Sequence, residues 1–458
     1  MTKTPFAAAA FALLASATAS AASIDLYVDS QTQQLYSQPG PGRVKLGTFV
    51  PQDDKAATSA APSAPAAASV PVAAKPATPA EKKWFDKLAL RGYTQIRFNQ
   101  ELGGDAQELR SPGDRFIGEN QSLGIRRARV ILSGDVSEHL SIYIQPDFAS
   151  TPAGSSTGNF AQLRDVYADL FFDKDHEYRI RAGQSKIPYG WENLQSSQNR
   201  LTLDRADALN SAVRDERDLA VIFYWEPKEI AGRFRDLVRS GLKGSGDYGV
   251  IGFGAYNGQG ANRLEANDSL HTVAHVSYPF KFESGQYFEV GVDAYTGFFR
   301  SATGSATING NTFTPTLAGR QRGPLDQRVS AHFIYYPQPF GLQGEWTVGS
   351  GPQLDTALQT VTSQSLKGGY LQAMYRIQSS HGDFVPFVKY QTFDGGSKFD
   401  TNAPRLQVDE VEAGLEWQIV PEIEVTTAYS YMDRTNVGSA PYRNQSGNLL
   451  RVQLQFNY

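Results

Sequence analysis

The chain has 458 residues and no cysteine. Disulfides, thiol nucleophiles and cysteine-ligated metals are therefore excluded. Long apolar runs are missing too. A membrane helix needs about 20 consecutive apolar residues, and beyond the amino-terminal segment the longest candidate is Leu219 to Trp225. Helical membrane spans are excluded. Spanning strands are not, because only every second residue of a strand must be greasy. An excess of one charge sign is also lacking: 43 Lys and Arg stand against 47 Asp and Glu, a formal charge of −4. Whole-chain charge thus points to no nucleic-acid partner.

Aromatics are plentiful, with 26 Phe and 22 Tyr, which is what interfacial girdles require. The end of the chain shows the pattern most clearly. Leu450, Val452, Leu454 and Phe456 alternate with Arg451, Gln453, Gln455 and Asn457 before Tyr458. A period of two makes one face apolar and the other wet. Such a strand, closing on an aromatic, resembles the carboxy-terminal signal of bacterial outer-membrane barrels. An edge strand of a soluble sheet is the alternative. At the other end, Lys3 precedes an Ala/Leu/Phe run from Phe6 to Ala15 and an Ala19-Ser20-Ala21 cleavage pattern. Residues 1–21 therefore read as a secretory signal peptide. Residues 22–50 hold two short alternating stretches, Ile24–Val28 and Arg43–Val50, divided by Gly40-Pro41-Gly42. Residues 51–83 are mostly an Ala/Pro/Ser tract with few large apolar side chains, which predicts an extended linker.

Residues 84–458 read as one long meander. Tyr93, Gln95 and Arg97 alternate with Thr94, Ile96 and Phe98; Asp165, Tyr167 and Asp169 with Val166, Ala168 and Leu170; Glu410, Glu412 and Glu416 with Val411, Ala413 and Leu415. Short turns near 137–139, 174–176, 281–285, 337–339 and 421–422 alternate with long loops near 100–121, 149–161, 187–217, 258–269, 298–325, 351–365, 394–407 and 433–448. Soluble sandwiches also alternate in burial, but short turns at one end and long loops at the other are a mark of outer-membrane barrels. The expected fold is all-β: a transmembrane antiparallel β-barrel of about sixteen strands. The connection at about 226–244 is too long for a simple turn, and no element is predicted for it.

Strand parity turns Arg91, Arg97, Arg127, Arg129, Arg179 and Arg181 toward the lumen, where they would form a basic stripe. One contact between an anion and a guanidinium at ~4 Å and an effective dielectric near 20 is worth roughly 4 kcal/mol before desolvation. Several graded contacts suit permeation, because the ion must also leave. The alternative is that these arginines neutralise lumenal carboxylates such as Asp165 and Asp169. Glu289, Asp293, Glu345, Glu410, Glu412, Glu416 and Glu424 make the far wall acidic. A transverse field of that kind also fits a weakly selective channel. His271 and His275 share a strand face without a third ligand at useful spacing, so no metal site is expected. No catalytic Ser/His/Asp set and no cofactor cradle is present.

Several local patterns, in order, are similar to the phosphate-selective porin O/P family. They are Ile125-Arg126-Arg127-Ala128-Arg129, GQSKIPYGWE at 183–192, YNGQGANR at 256–263, LQGEWTVGSGP at 342–352, LKGGYLQAMYRI at 366–377, PFVKYQTFDGG at 386–396 and EWQI at 416–419. The resemblance spans roughly residues 88–458. It implies a homotrimeric channel in the bacterial outer membrane, embedded in lipid and passing phosphate or other small anions. It also implies an inward loop and a pore lined by Arg97, Arg126, Arg127 and Lys186, with Arg200, Arg205 and Arg214 on the loop. Parity adds Arg129 and Arg181 to these pore positions. Arg451 faces the lumen outside the matched patterns and is expected to matter less. A general diffusion or organic-solute porin, or a plugged structural or adhesive barrel, remains open on the same fold.

Overall fold

The computed structural model describes residues 24–29, 35–36, 39–41, 43–49, 83–104, 122–150, 158–436 and 443–458. The expected signal peptide and almost all of the expected linker lie outside the described residues. The chain divides into two units, residues 1–79 and 80–458. In the first, β1 (Ile24–Asp29), β2 (Leu35–Tyr36) and β3 (Arg43–Phe49) form a sheet in the order β2-β1-β3. The two alternating stretches are its long strands, and the short β2 strand has no periodic signal.

The second unit is a closed barrel. Its first staves are β4 (Leu88–Gly104), β5 (Ser122–Asp135), β6 (Leu140–Ser150), β7 (Phe160–Phe171), β8 (Tyr178–Lys186), β9 (Arg217–Trp225), β10 (Ile251–Tyr256), β11 (His271–Lys281) and β12 (Tyr287–Phe298). A loop hairpin, β13 (Ala306–Ile308) with β14 (Asn311–Phe313), and the short β15 (Thr316–Leu317) follow. The ring continues with β16 (Leu325–Tyr335), β17 (Phe340–Asp355), β18 (Thr360–Tyr375) and its short extension β19 (Ile377–Ser379). It finishes with β20 (Gly382–Gly396), β21 (Arg405–Val420), β22 (Ile423–Asn436) and β23 (Arg443–Asn457). Sixteen long antiparallel strands close when β23 pairs with β4. Closure leaves no unpaired edge, which a strand wall in hydrocarbon requires. Tyr458 seals the seam: its N–H donates to the Gly92 carbonyl at 3.0 Å. A Cβ on Gly92 would lie 2.4 Å from the Tyr458 ring, so only glycine lets that ring lie flat there.

Burial is inverted relative to a water-soluble core. Outward Leu90 is 73 % exposed and Leu123 75 %, whereas inward Arg97, Arg127, Asp293 and Arg451 are at most 1 % exposed. A greasy outer face and a charged interior follow directly from the alternation. Phe172, Tyr178, Phe280, Tyr335, Phe340 and Tyr375 lie exposed near the short-turn end, as one aromatic girdle.

Two stretches differ from expectation. Residues 351–365 are largely strand, because β17 and β18 stay paired to Asp355 and Thr360 and leave only 356–359 as a turn. The 226–244 connection holds helix α3 (Lys228–Arg239). Ile230, Phe234 and Leu237 fall on one face of it and pack with Trp191, Tyr287, Ile334 and Tyr336. Here helical spacing overrides the strand period.

Candidate functional site

The connection from β8 to β9, residues 187–216, folds into the lumen instead of standing out from the rim. Ile187, Tyr189, Ala206, Ala208 and Leu209 within it are fully buried. It carries two short helices, α1 (Trp191–Leu194) and α2 (Asp207–Asn210). Gly190 turns the chain inward with φ near +86°, a left-handed value that glycine tolerates.

Wall side chains hold this loop by its backbone. Lys186 Nζ donates to the carbonyls of Leu194 at 3.1 Å and Gln195 at 2.8 Å. On the acidic wall, Glu345 accepts the N–H groups of Trp191 at 2.8 Å and Glu192 at 3.2 Å. Asp293 accepts from Gly190 at 2.9 Å and Glu412 from Leu203 at 3.2 Å. Loop carboxylates bind basic strand residues in return. Asp204 meets Arg97 at 3.4 Å and Arg451 at 2.5 Å, Asp207 meets Arg434 at 3.2 Å, and Glu192 pairs with Lys389. Arg451 thus belongs to the same anchor as Arg97.

A vestibule of about 820 Å³ opens at the short-turn end. It lies between the β4–β9 wall, loop residues 194–199 and the strap that follows α3. Nine Lys or Arg side chains line it against four Asp, so its balance is basic. Arg129, Arg179, Arg181, Lys186 and Arg217 come from the wall, and Lys228 and Arg235 from α3. Arg181 binds Asp169 through two bonds of 2.8 and 2.7 Å and lies over the Tyr167 ring at 4.1 Å. Arg129 binds Asp147 at 2.7 Å and the Tyr93 hydroxyl at 2.7 Å. Fixed in this way, each guanidinium presents its remaining N–H groups in a set direction.

The expected stripe is therefore interrupted. Strands β4 and β5 carry one cluster and β8 another, and β6 and β7 between them carry Asp147, Asp165 and Asp169. Of the basic residues singled out from sequence, Arg91, Arg129, Arg179, Arg181 and Lys186 border the vestibule. Arg127 lies on the same wall, donating to Gln95 at 2.8 Å. Arg97 also donates to Gln453 at 2.8 Å and to the Leu203 carbonyl at 2.9 Å. Arg126 is the extra residue of a bulge, skipped between the pairs Gln95–Arg127 and Ile96–Ile125, which is how two consecutive arginines both avoid a plain outward position. Arg200 donates to the Thr202 carbonyl at 3.0 Å, and Arg205 pairs with Glu216. Arg214 lies at the far end of the loop, over the Phe399 ring at 5.3 Å. Lys228 and Arg235 were missed because α3 was missed; an i, i+4, i+7 count over Ile230, Phe234 and Leu237 would have found them. Arg217 follows from strand parity.

The strap carries its own charges. Arg179 reaches Asp247 at 2.5 Å and Glu226 at 3.4 Å. Burial, and then the neighbouring Asp247, push the Glu226 carboxyl up to about 9. Asp247 is held below the usual carboxylate range by Arg179 despite its burial. Lys243 crosses to Glu416 and faces Glu424 at 3.9 Å, and although burial opposes it these carboxylates hold its ammonium above the usual value.

A sixteen-strand barrel with a greasy exterior, a charged lumen and a loop folded in to narrow it is an outer-membrane porin. The chain belongs to the phosphate-selective porin O and P family, whose model matches residues 96–458, and its place is the bacterial outer membrane. No curated protein matches it. Among solved structures it is similar to Salmonella typhi OmpF in complex with daunomycin, at 12 % identity over 82 % of this chain and 98 % of that one, with TM-score 0.49. It is also similar to the outer membrane channel DcaP of Acinetobacter baumannii, at 12 % identity over 81 % and 97 % with TM-score 0.47. The anion-selective porin from Comamonas acidovorans aligns at 10 % identity over 81 % and 99 % with TM-score 0.44.

Proposed function

We propose that this porin is a passive channel, not an enzyme, and that it conducts small anions, phosphate foremost. The observation that carries this reading is the charge of the vestibule: nine basic side chains against four acidic ones in about 820 Å³. Arg129, Arg181 and Lys186 are proposed as anion contacts there. Arg126 and Arg127 supply positive potential from behind. Arg97, Arg200 and Arg205 act mainly by holding the loop, and Arg214 sits at its outer end. An oxyanion would exchange hydration for guanidinium donors, and a cation would meet repulsion in a narrow, weakly screened gap. We further propose a homotrimer embedded in outer-membrane lipid, a signal peptide over residues 1–21, and a periplasmic segment at 22–50 joined by the linker at 51–83.

A second reading has one observation in its favour. Tyr167, Tyr224 and Tyr248 surround Arg181 at 4.1, 5.4 and 5.7 Å, and aromatic rings beside a guanidinium suit larger organic anions. The test is the reversal potential of the purified channel in a potassium chloride gradient, followed by titration of phosphate and then of benzoate. Anion preference with phosphate block of the chloride current supports the first reading. Block by benzoate alone favours the second, and cation preference refutes both.

A further inference from the structure

We propose that Asp293, His332 and Glu345 bind one divalent transition-metal cation in the lumen wall, at the root of the inward loop. The three residues come from adjacent strands β12, β16 and β17, and all are buried. One ligand atom from each lies within 4.8 Å of the others. Metal–ligand bonds of about 2.1 Å place tetrahedral donors roughly 3.4 Å apart, so small side-chain rotations complete the site.

The charge around the cluster calls for a cation. Glu289, Asp293 and Glu345 are at most 3 % exposed. Among the described residues, the ion-pair partners of Glu289 and Asp293 are histidines, and Glu345 has none. Nearby Lys389 is paired with Glu192. Buried carboxylates without a cation are costly.

Hydrogen bonding settles which nitrogen of His332 is available. The Ser277 hydroxyl gives its single proton to Glu289 at 2.7 Å. It can therefore only accept at its 3.2 Å contact with His332 Nε2, which must be the N–H. In the neutral ring His332 Nδ1 then carries the lone pair. It is buried, has no hydrogen-bond partner, and stands 3.9 Å from the Asp293 carboxylate. A lone pair facing a carboxylate repels it unless a cation lies between them. Gly291, directly opposite His332, makes room for the ring: a Cβ there would lie 2.4 Å from His332 Cε1.

The outer contacts also suit a metal. His275 Nδ1 binds the other Asp293 oxygen at 2.5 Å, and ligand carboxylates are oriented by such partners. One imidazole with two carboxylates selects zinc-like ions over calcium or magnesium. Because Asp293 and Glu345 also hold the backbone of Gly190, Trp191 and Glu192, the cation would stiffen the junction of loop and wall.

The test uses the full chain without an affinity tag, folded in detergent and stripped with chelator. Titration with cobalt(II) is expected to give one visible ligand-field band at one ion per chain, displaced by zinc. His332→Ala and Asp293→Asn should each weaken cobalt binding at least tenfold, while Glu410→Gln and His381→Ala leave it unchanged. Heat-modifiable migration identifies folded variants. The zinc absorption edge of the unaltered protein needs no variant and should show a nitrogen/oxygen shell with one imidazole. Equal cobalt affinity in both folded variants, or a zinc shell of oxygen alone, would overturn the site.

Discussion

The wall from β4 to β9 and the wall from β12 to β22 are built alike. Both alternate along most of their length, and both bury charged side chains inside a greasy cylinder. They differ in what their charges touch. On the second wall, Asp293, Glu345 and Glu412 accept backbone N–H groups of the inward loop. On the first, Arg129, Arg181 and Arg217 are braced by wall carboxylates and still border open space. A charge turned into the loop and closed off from open space adds little to the field an ion meets, so the charges that border the open space, not all those in the lumen, set its selectivity. The second wall thus docks the constriction by its N–H groups, whereas the first both holds it, through Lys186 and Arg97, and presents the field.

The largest effect is expected from undocking the loop. Glu345→Ala removes the acceptor for two loop N–H groups, and losing hydrogen bonds to a charged acceptor costs about 1.5–3 kcal/mol. Single-channel conductance should rise several-fold with frequent flicker, and the heat-modification temperature should fall. Unchanged conductance would mean that the acidic wall does not hold the loop.

Charge reversal on the basic wall comes next. Arg181→Glu places a second carboxylate beside Asp169, and at an effective dielectric near 20 a lost contact at ~4 Å is worth roughly 4 kcal/mol before desolvation. The chloride/potassium permeability ratio should drop several-fold. Glu410→Gln on the docking wall should change that ratio less than about 1.5-fold, as expected for an already satisfied charge. Equal effects from both variants would erase the distinction between the walls.

A smaller effect should follow pH. The Glu226 carboxyl, pushed up to about 9 by burial and Asp247, keeps its proton in the folded strap when an unfolded glutamate has lost it. Its contribution to docking is full below the ordinary glutamate range and declines as pH rises toward 9. Asp247, shifted the other way, contributes at every pH above the ordinary aspartate range. The strap should therefore loosen on the alkaline side, and conductance should increase between about pH 8 and 10. Glu226→Gln should flatten that rise, and an equal rise in the variant would assign it elsewhere.

The smallest effect belongs to the rim. Arg91 is exposed at the vestibule mouth, where salt screens a charge beyond about 10 Å at 0.1 M. Arg91→Gln should lower anion conductance slightly in dilute salt and not at all in 1 M salt. A salt-independent loss would place Arg91 in the constriction.

Strand faces were legible because a period of two needs only local chemistry. Arg97, Arg127, Asp165, Glu289 and Glu410 all point inward as their parity requires. The long loop at 187–216 was legible from the spacing of the strands, its inward fold only through the family patterns, and its anchors not at all. Nothing local to Glu345 or Glu412 says that a segment more than 150 residues away will donate N–H groups to them. Helix α3 carried a readable period that a strand-by-strand reading passes over. The end of β17 was misread because Gly351 and Pro352 look like a turn, while its pairing with β18 runs through them.

Sequence alone thus determined the barrel, its strand number, its lipid face and which charges enter the lumen, because each depends on alternation along a single strand. Only the tertiary structure decided which charges remain available to an ion. That outcome depends on where the inward loop and the α3 strap come to rest. Their resting places are set by contacts such as Lys186 with the Leu194 carbonyl, Asp204 with Arg97 and Arg451, and Lys243 with Glu416. The last of these joins residues 173 positions apart, a separation at which no sequence period carries information about the partner.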